Sequence, residues 1–436
     1  MEKSVHVTTA LTFALALTAL TALPAIAQPL PSASPESVGF DSARLKLLDD
    51  YMAGAVAQGR VAGMTTMLAR HGKVVEFKTY GQADLAAQRP MNRDAIFRIY
   101  SMTKPIVGAA MMILFEEGKW KLDDPVTKFI PEFKNLRVLT GPDAQGRMTT
   151  EPAKRPPTMR EVMSHTAGFG YGLDEVNPVD KIYIEKKVLL TTTQQQMIER
   201  MADLPLKFQP GTDWAYSIAV DVQGAIVEKL SGKSLSAFLD ERIFKPLKMT
   251  DTAFQVTGGR EGRLAQVYEA NLVNGKLAAA TTGLVLDILK PEFRENGGGG
   301  LFSTTVDYAR FCQVLLNKGE LDGARILSPA SIELMDTNAI THEALAKSPG
   351  IGTGRFNENV GFGLDFRVVM EPRRAGLMEG KNSMDWGGAA GTWFWVDPTN
   401  DLFFVGMIQR FGETGGDNLG QQARVLTYQA LVHPEK

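Results

Sequence analysis

The chain has 436 residues, 44% hydrophobic and 22% charged, a globular composition with enough apolar material for a sizeable core. Its 47 basic and 49 acidic residues leave a formal charge of −2, which argues against nucleic-acid binding as the main task, because no basic surplus exists to neutralise phosphates. A single cysteine, Cys312, excludes an intramolecular disulfide framework and any multi-thiolate metal or iron–sulfur site.

The amino terminus has the pattern of a secretory signal. Lys3 precedes the apolar stretch Leu11 to Leu23, and Ala25-Ile26-Ala27 then offers small residues at −3 and −1 before Gln28. The apolar run is about 13 residues, short of the roughly 20 a spanning helix needs. Residues 1–27 are therefore expected to be removed on export to the periplasm or medium, leaving no membrane anchor.

Residues 28–37, with Pro29, Pro31 and Pro35, read as an irregular linker. Asp41 is placed to cap a helix carrying Leu45, Leu48, Met52 and Val56 on one side. Met64–Arg70 and Val74–Tyr80 flank His71-Gly72-Lys73, a hairpin pattern. A helix is predicted from Ile106 to Glu117, with Gly118 as its stop. The glycines and prolines of residues 140–157 mark a surface excursion. Thr158 and Glu161 form a capping-box pattern, and helical stretches follow around 193–203, 219–230 and 234–244. Gly297 to Gly300 mark either a flexible stretch or a tight backbone approach. A helix at about 304–317 precedes strands at 360–370, 390–397 and 402–409, and a last helix runs from Asn418 to Leu431. Strands at both ends with helices between them predict one sheet built from both termini around a helical insertion.

Several chemistries are missing from the sequence. There is no Gly-x-Ser-x-Gly elbow and no Walker A pattern, and the histidines form no metal-ligand pair at short spacing. The strongest local pattern is Ser101-Met102-Thr103-Lys104 at a helix entry. Positions i and i+3 share a helix face, so the hydroxyl and the amine are neighbours. A serine hydroxyl attacks only when a base takes its proton, and a lysine desolvated in a cleft can be that base. By itself the pattern also fits an N-cap serine followed by a surface lysine.

Three further segments bear on that choice. Pro210-Gly211-Thr212-Asp213-Trp214-Ala215-Tyr216-Ser217 is a turn leading to a tyrosine at a helix start, whose hydroxyl can relay protons or simply be a packed aromatic. Trp386-Gly387-Gly388-Ala389 precedes the apolar stretch Trp393 to Val396; its glycines would free an N–H for an oxyanion, or merely mark a bulged edge. His165, in Met163-Ser164-His165-Thr166-Ala167-Gly168, reads as a structural brace.

Together and in this order, these segments and Gly297 to Ser303 resemble the serine β-lactamase and penicillin-binding-protein superfamily, over about residue 36 to the end. More specifically, the chain resembles a family VIII carboxylesterase, the esterase branch close to class C β-lactamases. The resemblance implies an α/β (α+β) fold, in which residues 28–115 and 290–436 form an antiparallel-sheet domain and 116–289 a mostly helical one, with the active site between them. It implies Ser101 as nucleophile, Lys104 as its proton acceptor and Tyr216 as partner for the leaving group and the water. Backbone N–H groups of Ser101 and Ala389 would form the oxyanion hole, and Trp386, Gly387, Gly388 and Ile218 would contact substrate. No cofactor and no metal are implied, and the partner is a small ester. Two departures from class C β-lactamases favour esters: Tyr216-Ser217-Ile218 stands for Tyr-x-Asn, and Trp386-Gly387-Gly388 for Lys-Thr-Gly. The rival readings are a β-lactamase or D-alanyl-D-alanine carboxypeptidase, and a non-catalytic penicillin- or cell-wall-binding module.

Overall fold

The computed structural model describes residue 1 and residues 30–270, 276–281, 294–347, 356–412 and 418–434. The expected signal segment, Met1 apart, lies outside the described residues. Helix α1 (Ser42–Ala57) opens as expected on Asp41, whose carboxylate accepts the Arg44 N–H at 2.9 Å. Strands β1 (Gly63–Arg70) and β2 (Lys73–Asp84) are joined through His71 and Gly72, both at positive φ. Two successive positive φ values suit the right-handed twist of a two-residue hairpin.

The short β3 (Arg89–Pro90) and five strands from the other end of the chain complete an eight-stranded antiparallel sheet. These are β4 (Val360–Phe362), β5 (Arg367–Val369), β6 (Ser383–Gly387), β7 (Trp393–Asp397) and β8 (Leu402–Met407). Their order is β4-β5-β6-β7-β8-β1-β2-β3, so the internal pair β8–β1 joins the two ends of the sequence. Every residue of β1, β7 and β8 is buried, because helices cover both faces. Leu45, Leu48 and Met52 of α1 pack with Leu68, Trp395 and Phe404, and with Leu419 and Ala423 of the last helix (Leu419–Ala430). Phe394, Val396, Phe403 and Val405 alternate to the opposite face and join the main core.

That core runs on into the helical insertion. Helix α2 (Thr103–Glu116) is buried all round from Thr103 to Leu114, as an apolar central helix must be. It packs against α4 (Ala219–Ser231), while α3 (Met159–Met163) carries the expected capping box: Glu161 accepts the Thr158 N–H at 2.8 Å and Thr158 Oγ1 accepts the Glu161 N–H at 3.3 Å.

Four expectations change. The single strand at 360–370 is split into β4 and β5 by a turn through Asp365, at φ 67°. Ala390 belongs to the turn before β7, and β6 is a strand the sequence reading had not separated. The excursion at 140–157 contains part of an exposed hairpin, Arg137–Pro142 with Met148–Pro152. Tyr216 does not begin a helix: α4 starts at Ala219, with Ile218 as its N-cap.

Candidate active site

The chain enters α2 from the two-residue strand Phe97–Arg98 through Tyr100, whose φ is +43°. A non-glycine residue held in the left-handed region costs on the order of 1–3 kcal/mol and persists only where its surroundings impose it. Here Ser101, half-buried, sits on a short 3₁₀ turn and Lys104 on the first turn of the α-helix. Lys104 is fully buried, so the surface-lysine alternative is excluded. Its Nζ lies 3.4 Å from Ser101 Oγ, 3.0 Å from the Tyr171 hydroxyl and 2.6 Å from the Gly298 carbonyl oxygen. An ammonium has three hydrogens, and these are three acceptors.

The four glycines have a packing reason. Phe302–Ser303 pairs antiparallel with Phe97–Arg98, the Leu301 carbonyl accepts the Ile99 N–H at 3.1 Å, and Thr103 Oγ1 accepts the Leu301 N–H. This ladder lays the glycine run beside the nucleophile's turn. A Cβ on Gly297 would stand 2.6 Å from the Val220 carbonyl, so the run is a close approach rather than a slack linker.

Tyr216 arrives on a loop braced by the Ser164–Gly168 segment. The His165 carbonyl accepts the Ala215 N–H, Gly170 accepts that of Ile218, and His165 Nδ1 accepts the Ser217 N–H at 3.2 Å. Burial, with the Lys104 charge nearby, drives the His165 pKa well down, so it is neutral and structural as the sequence suggested. The result is a Tyr216 hydroxyl donating to Ser101 Oγ at 2.6 Å, with the Tyr216 ring 4.5 Å from Lys104 Nζ. Burial opposes the Lys104 ammonium, but the oxygens of Tyr171 and Tyr216 outweigh it and hold its pKa above the ordinary lysine range. Lys104 is thus a donor to Ser101 in the resting site rather than a free base.

On the sheet side, Trp386 lies 5.6 Å from the Tyr216 ring and 5.3 Å from Phe362, forming a half-buried aromatic wall with Gly387 exposed beside it. Strand β5 pairs with β6 only as far as Asp385, leaving Trp386 and Gly387 beyond that ladder. Gly388 also has a packing reason. A Cβ there would be 2.5 Å from the Ile99 carbonyl, so glycine lets the end of β6 close onto the Ser101 turn. Neither the Ser101 nor the Ala389 N–H has an acceptor among the described hydrogen bonds. Ile218 is corrected: it is completely buried in the main core and presents no surface to a substrate.

Tyr171 was missed by sequence reading. It lies 67 residues from Lys104, and no local spacing marks it; only its place just after the His165 loop connects it with the other motifs. A cleft of about 480 Å³ opens beside it, lined by Tyr171, Leu173, Phe208, Asp213 and Tyr216 among others. Among the described residues no cluster of His, Cys, Asp and Glu could hold a metal ion.

An antiparallel sheet covered by helices, with serine, lysine and tyrosine converging at its edge, defines a class of serine enzymes. The chain belongs to the beta-lactamase family, whose model matches residues 48–429. Protein Rv1367c of Mycobacterium tuberculosis is 37% identical over 355 residues, covering 80% of this chain and 86% of that protein. Esterase EstB of Burkholderia gladioli is 30% identical over 385 residues, covering 84% and 91%. Among solved structures, EstCE1, described as a hydrolase with promiscuous acyltransferase activity, superposes with a TM-score of 0.73 at 25% identity, covering 89% of this chain and 98% of that one. The protein is a serine hydrolase of this family with its α+β fold.

Proposed function

We propose that the protein hydrolyses short-chain carboxylic esters through an acyl-enzyme on Ser101. The observation that carries this reading is the convergence of the Tyr216 hydroxyl, at 2.6 Å, and the Lys104 amine, at 3.4 Å, on Ser101 Oγ. The Lys104–Tyr216 pair first gives one proton to solvent, and the Ser101 proton then passes into this singly deprotonated pair rather than to lysine alone, with the Tyr216 oxygen the nearer of the two to Ser101 Oγ. The attacked carbonyl oxygen becomes an oxyanion held by the Ser101 and Ala389 N–H groups. Tyr216 returns the proton to the departing alkoxide, and a water then repeats the sequence to free the acid. No metal or cofactor enters these steps.

Trp386 supports an ester over a β-lactam. It offers a neutral aromatic wall where Lys-Thr-Gly enzymes would place a cation for the ring carboxylate. The likeness to esterase EstB supports the same choice. The test is reaction with a fluorophosphonate followed by mass spectrometry, alongside hydrolysis of p-nitrophenyl butyrate. Label on Ser101 together with ester turnover is expected; an unlabelled Ser101 would place the protein among binding modules. Export belongs to the same proposal: protein recovered from the periplasm or medium of a bacterial host should begin at or near Gln28, and an intact Met1 on active cytosolic protein would contradict it.

A further inference from the structure

The hydrogens of Lys104 are all engaged, but among the described residues the Tyr171 hydroxyl hydrogen meets no acceptor. The Tyr171 hydroxyl accepts from Lys104 Nζ, so its own O–H must find another acceptor or stay unpaired inside the protein, at a cost of about 1–3 kcal/mol. The nearby carboxylate with a spare oxygen is Asp221. It lies in the first turn of α4, fully buried, with Oδ1 accepting from Arg294 Nη1 at 2.6 Å. Its other oxygen, Oδ2, has no donor among the described residues. The two groups flank one backbone atom: a Cβ on Gly298 would run into Asp221 Oδ2 and lie 2.7 Å from the Tyr171 hydroxyl. The Gly298 carbonyl meanwhile holds Lys104.

We infer that Asp221, held by Arg294, is a positioning residue: it accepts the Tyr171 hydroxyl hydrogen through one bridging water, and so keeps a Tyr171 lone pair turned toward Lys104. Resting on the serine-esterase reading, this extends the site by one layer, from Ser101 through Lys104 and Tyr171 to a buried ion pair. Gln194, whose side chain accepts from Arg294 Nη1 at 3.2 Å and donates to the Glu295 carbonyl at 2.8 Å, fixes the guanidinium in turn. Burial pushes the Tyr171 pKa up, with Tyr216 and, less, Asp221 adding to the shift and the Lys104 charge opposing it, so Tyr171 stays a phenol with a hydrogen to donate. Without the carboxylate the hydroxyl is free to turn its hydrogen toward Lys104, which would displace the amine from Ser101.

The experiment is a double-mutant cycle of Asp221→Asn and Tyr171→Phe. It reads the rate of fluorophosphonate labelling at Ser101 and, separately, kcat and KM for p-nitrophenyl butyrate, with a thermal melt of each variant. Each single change should lower the labelling rate and kcat about tenfold or more with KM little changed, and the double variant should be no slower than the slower single. Wild-type rates in a folded Asp221→Asn protein, or losses that multiply in the double variant, would overturn the inference. Asp221→Asn strands a buried guanidinium; should it fail to fold, Asp221→Asn/Arg294→Gln replaces the ion pair by two amides and carries the same expected loss. A wild type that labels at Ser101 but turns over no ester refutes the esterase reading while the labelling rates still decide this one. A wild type that does not label refutes both.

Discussion

Ser101 and Lys104 stand three residues apart at the start of one helix, whereas Tyr171, Tyr216 and Gly298 reach the same point across 67, 115 and 194 residues of sequence. The first pair needs only helical periodicity to meet. The second set needs a core: α2 buried throughout, α4 packed on it, and two loops laced together by the bonds of His165, Gly168 and Gly170. The nucleophile is thus locally encoded, and the proton network around it is held by tertiary packing. Mutations should separate the two.

Removing the local element should have the largest effect. Ser101→Ala is expected to lower kcat on p-nitrophenyl butyrate by about 10³ or more, leaving only binding and oxyanion stabilisation. Activity within tenfold of wild type would mean the nucleophile lies elsewhere. Lys104→Arg should come next, at least about 10² in kcat: arginine is effectively always charged, and its fork has no room in a fully buried site. Among the packed-in elements, Tyr216→Phe removes one hydroxyl and should cost about 10²-fold in kcat in a folded protein with KM little changed. If it keeps full kcat, Tyr216 is only a wall of the cleft.

The sheet-side wall sharpens the comparison further. One missing charge-assisted partner for a carboxylate costs roughly 1.5–3 kcal/mol, so Trp386 in place of a lysine should leave kcat/KM for benzylpenicillin about ten- to a hundredfold below that for the butyrate ester. Ile218, being buried, adds nothing to this selectivity from inside the cleft. Equal or faster penicillin turnover would put the protein on the β-lactamase branch. The smallest effect should come from the scaffold: Thr158→Ala breaks the capping box of α3 and should lower stability by about 1 kcal/mol, read as a fall in Tm, with kcat unchanged.

Much of the fold was legible because local rules act over a few residues. Asp41 and Thr158 each lie just before a helix and cap it, and His71-Gly72 makes the turn that joins β1 to β2. The split of 360–370 at Asp365, the place of Tyr216 on a loop ahead of α4 and the burial of Ile218 were not legible. Each depends on what packs against the segment, as when the Met163 carbonyl takes the Asp365 N–H and that of Gly170 takes the Ile218 N–H. For the active site, the sequence alone pointed to the Ser101–Lys104 pair, since i and i+3 are neighbours at a helix start, and the burial of Lys104 then removed the surface-lysine alternative. Only the tertiary structure decided that Lys104 is a buried ammonium, that Tyr171 and Gly298 hold it, and that the glycine run lies against Val220. Those facts rest on hydrogen bonds and close contacts between segments far apart in the chain, and no local spacing specifies such pairings.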